Sequence, residues 1–168
     1  MLCSASSGGL AIKNSTPEIL LVDDNPADVV LVRESLAETA HQSHVHFVVG
    51  ADEAIAFLRQ RGRYTHTVRP DLMILDLNLP NRDGHRVLAE VRALPELSHI
   101  PVVVFSSSAS QQDIARSYEL GANCYVSKPG DLKRFFSAVR AIEEFWFRYA
   151  SLPQKENNER ATRSRFAD

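Results

Sequence analysis

Apolar and polar positions along the chain alternate between two periods. Glu18–Val22 (EILLV) is a short apolar run of strand length. Pro26–Ala40 follows, with Val29, Val30, Leu36 and Ala37 at helical spacing and Pro26 suited to a first helical turn. His44–Val49 alternates like a strand, and Asp52 can cap a helix over Glu53–Arg61. Gly62–Pro70 reads as a loop. Asp71–Leu77 (DLMILDL) carries a third strand, a continuous apolar run ended by Asp76, and Arg82–Leu94 is a helix stopped by Pro95. Ile100–Ser108 (IPVVVFSSS) is a fourth strand, and Ser110 can cap the helix Gln111–Gly121. Cys124–Ser127 is a short fifth strand, and Asp131 can cap a long last helix over Leu132–Ala150.

Five strands thus alternate with five helices. The first, third and fourth strands are apolar throughout, which implies burial on both faces. Alternation with helices implies a parallel sheet with right-handed crossovers. The predicted fold is α/β: a flavodoxin-like (βα)5 doubly wound sandwich with a five-stranded parallel sheet and an extended C-terminal helix. In such a sheet, ligands bind at the carboxyl ends of the strands.

The polar residues at those ends form a pattern. The first strand ends in Asp23 and Asp24, the third in Asp76, the fourth in Ser106 and Ser107, and the fifth leads through Tyr125 to Lys128. Each has a bland explanation when taken alone: a turn acid, a loop serine, a solvated lysine. The topology brings all of them to one edge of one sheet. Three carboxylates crowded there repel one another and call for positive charge. Mg²⁺ suits a site of a few carboxylates and bound waters, and it suits phosphoryl chemistry. Lys128 can hold a phosphoryl oxygen or pair with Asp76, and Ser106 can hydrogen-bond another oxygen.

Composition narrows the function classes. The chain of 168 residues suits one domain plus some tail. A net charge of −2 provides no strong field for nucleic acid or an anionic membrane. No apolar run approaches the ~20 residues of a spanning helix. Residues 1–17 are Ser/Gly-rich without the apolar centre of a signal peptide and read as a disordered leader. Residues 151–168 are polar, mixed in charge, and read as a flexible tail. The two cysteines, Cys3 and Cys124, make neither a disulfide framework nor a zinc site, and the cytoplasm is the expected compartment.

The motifs DD (Asp23–Asp24), DLNLPNRDG (from Asp76), VVVFSSS (with Ser106) and YVSKP (Tyr125, Lys128, Pro129) resemble the receiver domains of two-component response regulators, over roughly Glu18 to Ala150. The resemblance implies the strand order 2-1-3-4-5. It implies that Asp76 accepts a phosphoryl group from a kinase phosphohistidine. Mg²⁺, with Mn²⁺ as an admissible substitute, would be bound by Asp24, Asp76 and the backbone carbonyl of Asn78, with Asp23 acting through a bound water. Lys128 would grip the phosphoryl group, Ser106 would be the switch hydroxyl and Tyr125 the switch aromatic. Lys128–Pro129 would match the family's cis-peptide site. Such a domain assists its own phosphorylation and dephosphorylation but is otherwise a switch rather than an enzyme.

A narrower likeness, in NCYVSKP, IEEFW, SLP and the loop Gly62–Pro70, is to the small regulators that serve bacterial phytochromes. It implies a phytochrome-type histidine kinase as partner. The eighteen residues after Ala150 are too few for a DNA-binding or catalytic module. The expected output is therefore a surface change on the fourth helix, fifth strand and last helix, read by a partner, by a histidine phosphotransfer protein, or by a second copy. A homodimer is expected through that face and the last helix. There Leu132, Phe135, Phe136, Val139, Ile142, Trp146 and Tyr149 form a core stripe, and Phe145 and Phe147 lie off it.

Two other classes compete. A scaffold that works without phosphate has no need of three repelling carboxylates. A flavodoxin-like redox enzyme needs a phosphate cradle after the first strand, where the acidic DDNPAD would repel the phosphate of a flavin.

Overall fold

Three mainly apolar strands form the middle of the sheet, and every residue of two of them is buried. The computed structural model describes residues 16–153 except Asp83, with Arg82 described in its backbone alone. The strands are β1 (Glu18–Val22), β2 (His44–Val48), β3 (Leu72–Leu75), β4 (Val102–Ser106) and β5 (Cys124–Ser127). The helices are α1 (Pro26–Ala37), α2 (Ala51–Leu58), α3 (Gly84–Ala93), α4 (Gln111–Glu119) and α5 (Leu132–Glu144). All ladders are parallel, in the order β2-β1-β3-β4-β5. The reversal of strand order at β1 and β3 puts the switch point between them.

Strand periodicity divides the core into two layers. Leu20, Val22, Met73, Leu75, Val102 and Val104 face one way and pack with Ala54, Phe57, Leu58, Val87, Leu88 and Val91 of α2 and α3. Ile19, Leu21, Leu72, Ile74, Val103 and Phe105 face the other way and pack with Val29, Val32 and Leu36 of α1 and Phe135, Val139 and Ile142 of α5. No described helix is long and apolar enough to cross a membrane.

Several boundaries differ from the sequence reading. α1 ends at Ala37 rather than Ala40, because the Thr39 hydroxyl and amide both donate to the Leu36 carbonyl and close the turn. Val30 and Ala37 lie on its solvent side, and Val32 and Ser35 are buried in their place. The N-cap of α2 is Gly50. Ala51 is buried as its first residue, and Asp52 sits in the first turn, bonded to Arg86 at 2.8 Å. α2 stops at Leu58, and within the loop Gly62–Pro70 the segment Gly62–Tyr64 makes one 3₁₀ turn. α3 starts at Gly84 because the chain first passes through Asn81 at φ 62°. Ser110 and Asp131 cap α4 and α5 as expected, accepting from the amides of Asp113 and Arg134.

The last helix changes character at its end. Phe145–Tyr149 form a π turn. Ile142, Phe135 and Val139 are buried, while Leu132 and Tyr149 are exposed, so the predicted stripe holds only in its middle. Phe147, expected off the stripe, packs with Trp146 against the α1–α5 layer. The leader and tail lie largely outside the described residues.

Candidate functional site

Two strand ends build the site in the same way. The Asp23 amide donates to the Val48 carbonyl, and the Asp76 amide to the Val22 carbonyl, so each acid sits one step beyond an apolar strand at the sheet's carboxyl edge. Asp23 Oδ1 then accepts from the Asn25 amide at 2.9 Å, and Asp76 Oδ1 from the Asn78 amide at 3.0 Å. These matched turns fix one oxygen of each carboxylate and aim the other across the edge. Asn25 in turn caps α1, with Pro26 at its first position. Asp24, between the turn residues, is exposed.

Lys128 lies where both free oxygens point. Its amide donates to the Ser106 carbonyl, which carries the β4–β5 ladder to the same edge. Its Nζ donates to Asp23 Oδ2, Asp28 Oδ2 and Asp76 Oδ2, each at 2.8 Å. The lysine side chain is 7% exposed, against 1% for Asp23 and 5% for Asp76. Burial alone would lower the lysine pKa, but the three carboxylate bonds outweigh it and hold the ammonium above its ordinary range. Burial pushes the Asp23 carboxyl up, with the neighbouring Asp76 charge adding to it, and Lys128 and the Asn25 amide offset only part of this.

The predicted residues come together as follows. Asp23, Asp24 and Asp76 each offer a carboxylate oxygen within 4.8 Å of the others. All the donors are oxygen, which fits a hard dication. Ser106 is fully buried, and its Oγ lies 3.3 Å from Asn78 Nδ2, which also donates to Ser107 Oγ at 2.9 Å. Tyr125 is half-buried, and its hydroxyl donates to the Ser108 carbonyl at 2.8 Å, in the loop that follows Ser106. Burial raises its phenol pKa.

One expectation is corrected. The structure contains no cis peptide bond among the described residues, so Lys128–Pro129 is trans here. The lysine amide already closes the β4–β5 ladder, and its side chain reaches all three acids in that geometry.

Two residues escaped the sequence reading. Asp28, in the first turn of α1, is the third partner of Lys128. An acid there reads as a response to the helix dipole, and only the proximity of the helix start to the strand edge reveals more. Gly84 is the other. A Cβ on it would lie 2.5 Å from Leu77 Cα and 2.7 Å from the Asp76 carbonyl oxygen. The start of α3 therefore presses directly on the segment that carries Asp76.

Comparison with known proteins agrees with this geometry. Residues 19–140 match the family model of the response regulator receiver domain. The response regulator Rcp1 of Synechocystis sp. is 44% identical over 140 residues, covering 83% of this chain and 95% of that protein. The crystal structure of the phosphorylated cyanobacterial phytochrome response regulator RcpA superposes with a TM-score of 0.81 at 47% identity, covering 83% of this chain and all of that one. The Mn²⁺-bound form of Rcp1 gives 0.78 at 43% identity, covering 82% and 99%.

Proposed function

The chain belongs to the response regulator receiver family, and from that premise we propose that it is a phosphoryl-accepting switch in which Asp76 is the acceptor, Mg²⁺ the cofactor and a phytochrome-type histidine kinase the donor. The observation that carries this reading is the placement of Asp76. One oxygen is held by the Asn78 amide, the other by Lys128, and Asp23 and Asp24 stand beside it. The relatives support the rest: one was solved phosphorylated and one with Mn²⁺.

In this reading an Asp76 carboxylate oxygen attacks the phosphorus of a phosphohistidine. The P–O bond forms as the P–N bond breaks, and the imidazole leaves with its electron pair. Asp23, Asp24 and Asp76, with the Asn78 carbonyl, would hold Mg²⁺, which when bound neutralises charge on the arriving phosphoryl group. Lys128 exchanges a carboxylate for a phosphoryl oxygen without losing its buried position. The Ser106 hydroxyl, now beside Asn78, turns to another phosphoryl oxygen. That movement pulls on Ser107 and Ser108, and Tyr125 is tied to Ser108. The signal thus reaches the α4–β5–α5 face, which we assign to a second copy of the chain or to a histidine phosphotransfer protein. The same acids and lysine would assist dephosphorylation. The proposed place of action is the cytoplasm, where the ATP that charges a histidine kinase is held.

The test is intact-mass spectrometry after incubation with acetyl phosphate. The expected result is one added phosphoryl group with Mg²⁺, none after chelation, and none in Asp76→Asn. Uptake by Asp76→Asn, or none by the parent chain with Mg²⁺, would overturn the assignment.

A further inference from the structure

A second group of metal-ligating side chains lies at the opposite end of the sheet. The parallel register of β1 and β2 pairs Glu18 with His44 at their first residues, and the two-residue strand period returns His46 to the same face. Glu18 Oε2 is 3.2 Å from His44 Nδ1 and 2.6 Å from His46 Nε2. One oxygen is therefore shared by two imidazole nitrogens, and one ligand atom from each residue lies within 4.8 Å of the others.

The surroundings hold this arrangement in place. The Glu18 amide donates to Asp71 Oδ2, and its carbonyl accepts from the Asp71 amide, so the base of the carboxylate is fixed on both sides. The His46 ring leans on Phe57 at 5.1 Å between centroids, and Phe57 on Tyr64 at 5.3 Å. This apolar wall restricts the imidazole. His44 closes the open side, 63% exposed, on a strand at the sheet's edge. Glu18 and His46 are therefore mostly sheltered, at 16% and 22% exposed, while His44 faces solvent.

We propose that Glu18, His44 and His46 bind a borderline divalent transition ion of the Zn²⁺ class, with water completing the coordination. Two imidazole nitrogens and one carboxylate oxygen suit such an ion and not Mg²⁺. The oxygen-only pocket at Asp76 has the reverse preference, so ligand chemistry sorts two ions to two ends of one sheet. The five residues of β1 at ~3.3 Å each separate the two sites by roughly 16 Å. The bound ion staples the edge strand β2 to β1 and stabilises the fold without touching phosphoryl chemistry.

The experiment is a calorimetric titration of the full chain with ZnCl₂ under a large excess of Mg²⁺, which occupies the acidic pocket. His44→Ala and Glu18→Gln are the variants, because His44 is exposed and the glutamine keeps the shape of the glutamate. The expected result is one Zn²⁺ per chain, bound at least about tenfold more weakly by each variant. Zn²⁺ should raise the Tm of the parent chain and not of the variants, and Mg²⁺-dependent phosphoryl uptake should be equal in all three. Absence of Zn²⁺ uptake under Mg²⁺, or equal uptake by the variants, would overturn the site. Neither result bears on Asp76, which has its own readout.

Discussion

Asp28 and Lys128 stand 100 residues apart in the chain and meet at 2.8 Å, one carboxylate oxygen against the ammonium. Asp23 and Asp76 hold the same nitrogen at the same distance. One buried cation thus serves three acids from two strand ends and a helix start. This explains how an acid-rich edge folds before any dication arrives.

Removing that cation tests the explanation. Lys128→Ala leaves Asp23 and Asp76 buried without a counter-charge, each keeping only a backbone amide, and breaking a buried pair in this way costs about 3 kcal/mol. Chemical denaturation in a chelator should show a loss of that order. Mg²⁺ should restore more stability to the variant than to the parent, because it supplies the missing positive charge. An equal Mg²⁺ response in both proteins would show that Lys128 does not neutralise the pocket.

The raised pKa of Asp23 gives a dependence on pH. A carboxyl whose folded pKa lies above its ordinary value of 3.8 binds protons more tightly folded than unfolded. Its contribution to stability is therefore full below pH 3.8 and is lost as pH rises through the folded value. At neutral pH without metal, ionised Asp23 is a net cost. Asp23→Asn should melt at a higher temperature than the parent in a chelator at pH 7, and the gap should narrow on acidification. Saturating Mg²⁺ should reverse the order, since the variant has lost a ligand charge. A lower melting temperature for the variant at pH 7 in a chelator would refute the cost assigned to burial.

Much of this could be seen in the sequence, because apolar runs dictate where strands stop. Asp23, Asp76 and Ser106 end such runs, and a parallel sheet has only one carboxyl edge on which to gather them. What could not be read depends on how the elements lie against each other. Asp28 reaches Lys128 only because α1 starts beside β5's end. Gly84 falls inside the predicted helix Arg82–Leu94 with nothing to single it out, yet its lack of a side chain is needed where α3 meets Leu77 and the Asp76 carbonyl. Asp52 looked like a cap, but burying Ala51 moved the helix start to Gly50. Val30 fits a helical stripe on paper, and the observed stripe runs through Val29, Val32 and Leu36 instead.

The π turn at the end of α5 decides which aromatics are free to meet a partner. The Ala150 amide donates to the Phe145 carbonyl, five residues back, so the turn takes up an extra residue. That shift brings Phe147 onto the core beside Trp146, with its ring 6.3 Å from that of His41. Phe145 and Tyr149 are left 53% and 67% exposed. If the last helix forms a homodimer, these two residues are its contact and Phe147 is its support. Phe145→Ser should change folding stability by less than about 0.5 kcal/mol while shifting the sedimentation-velocity profile toward monomer. Phe147→Ala should cost about 2 kcal/mol or more, with self-association weakened only as far as the helix end loosens. Equal sedimentation of the parent chain and Phe145→Ser across concentration would remove this helix end from the interface and leave the α4–β5 surface as the remaining candidate.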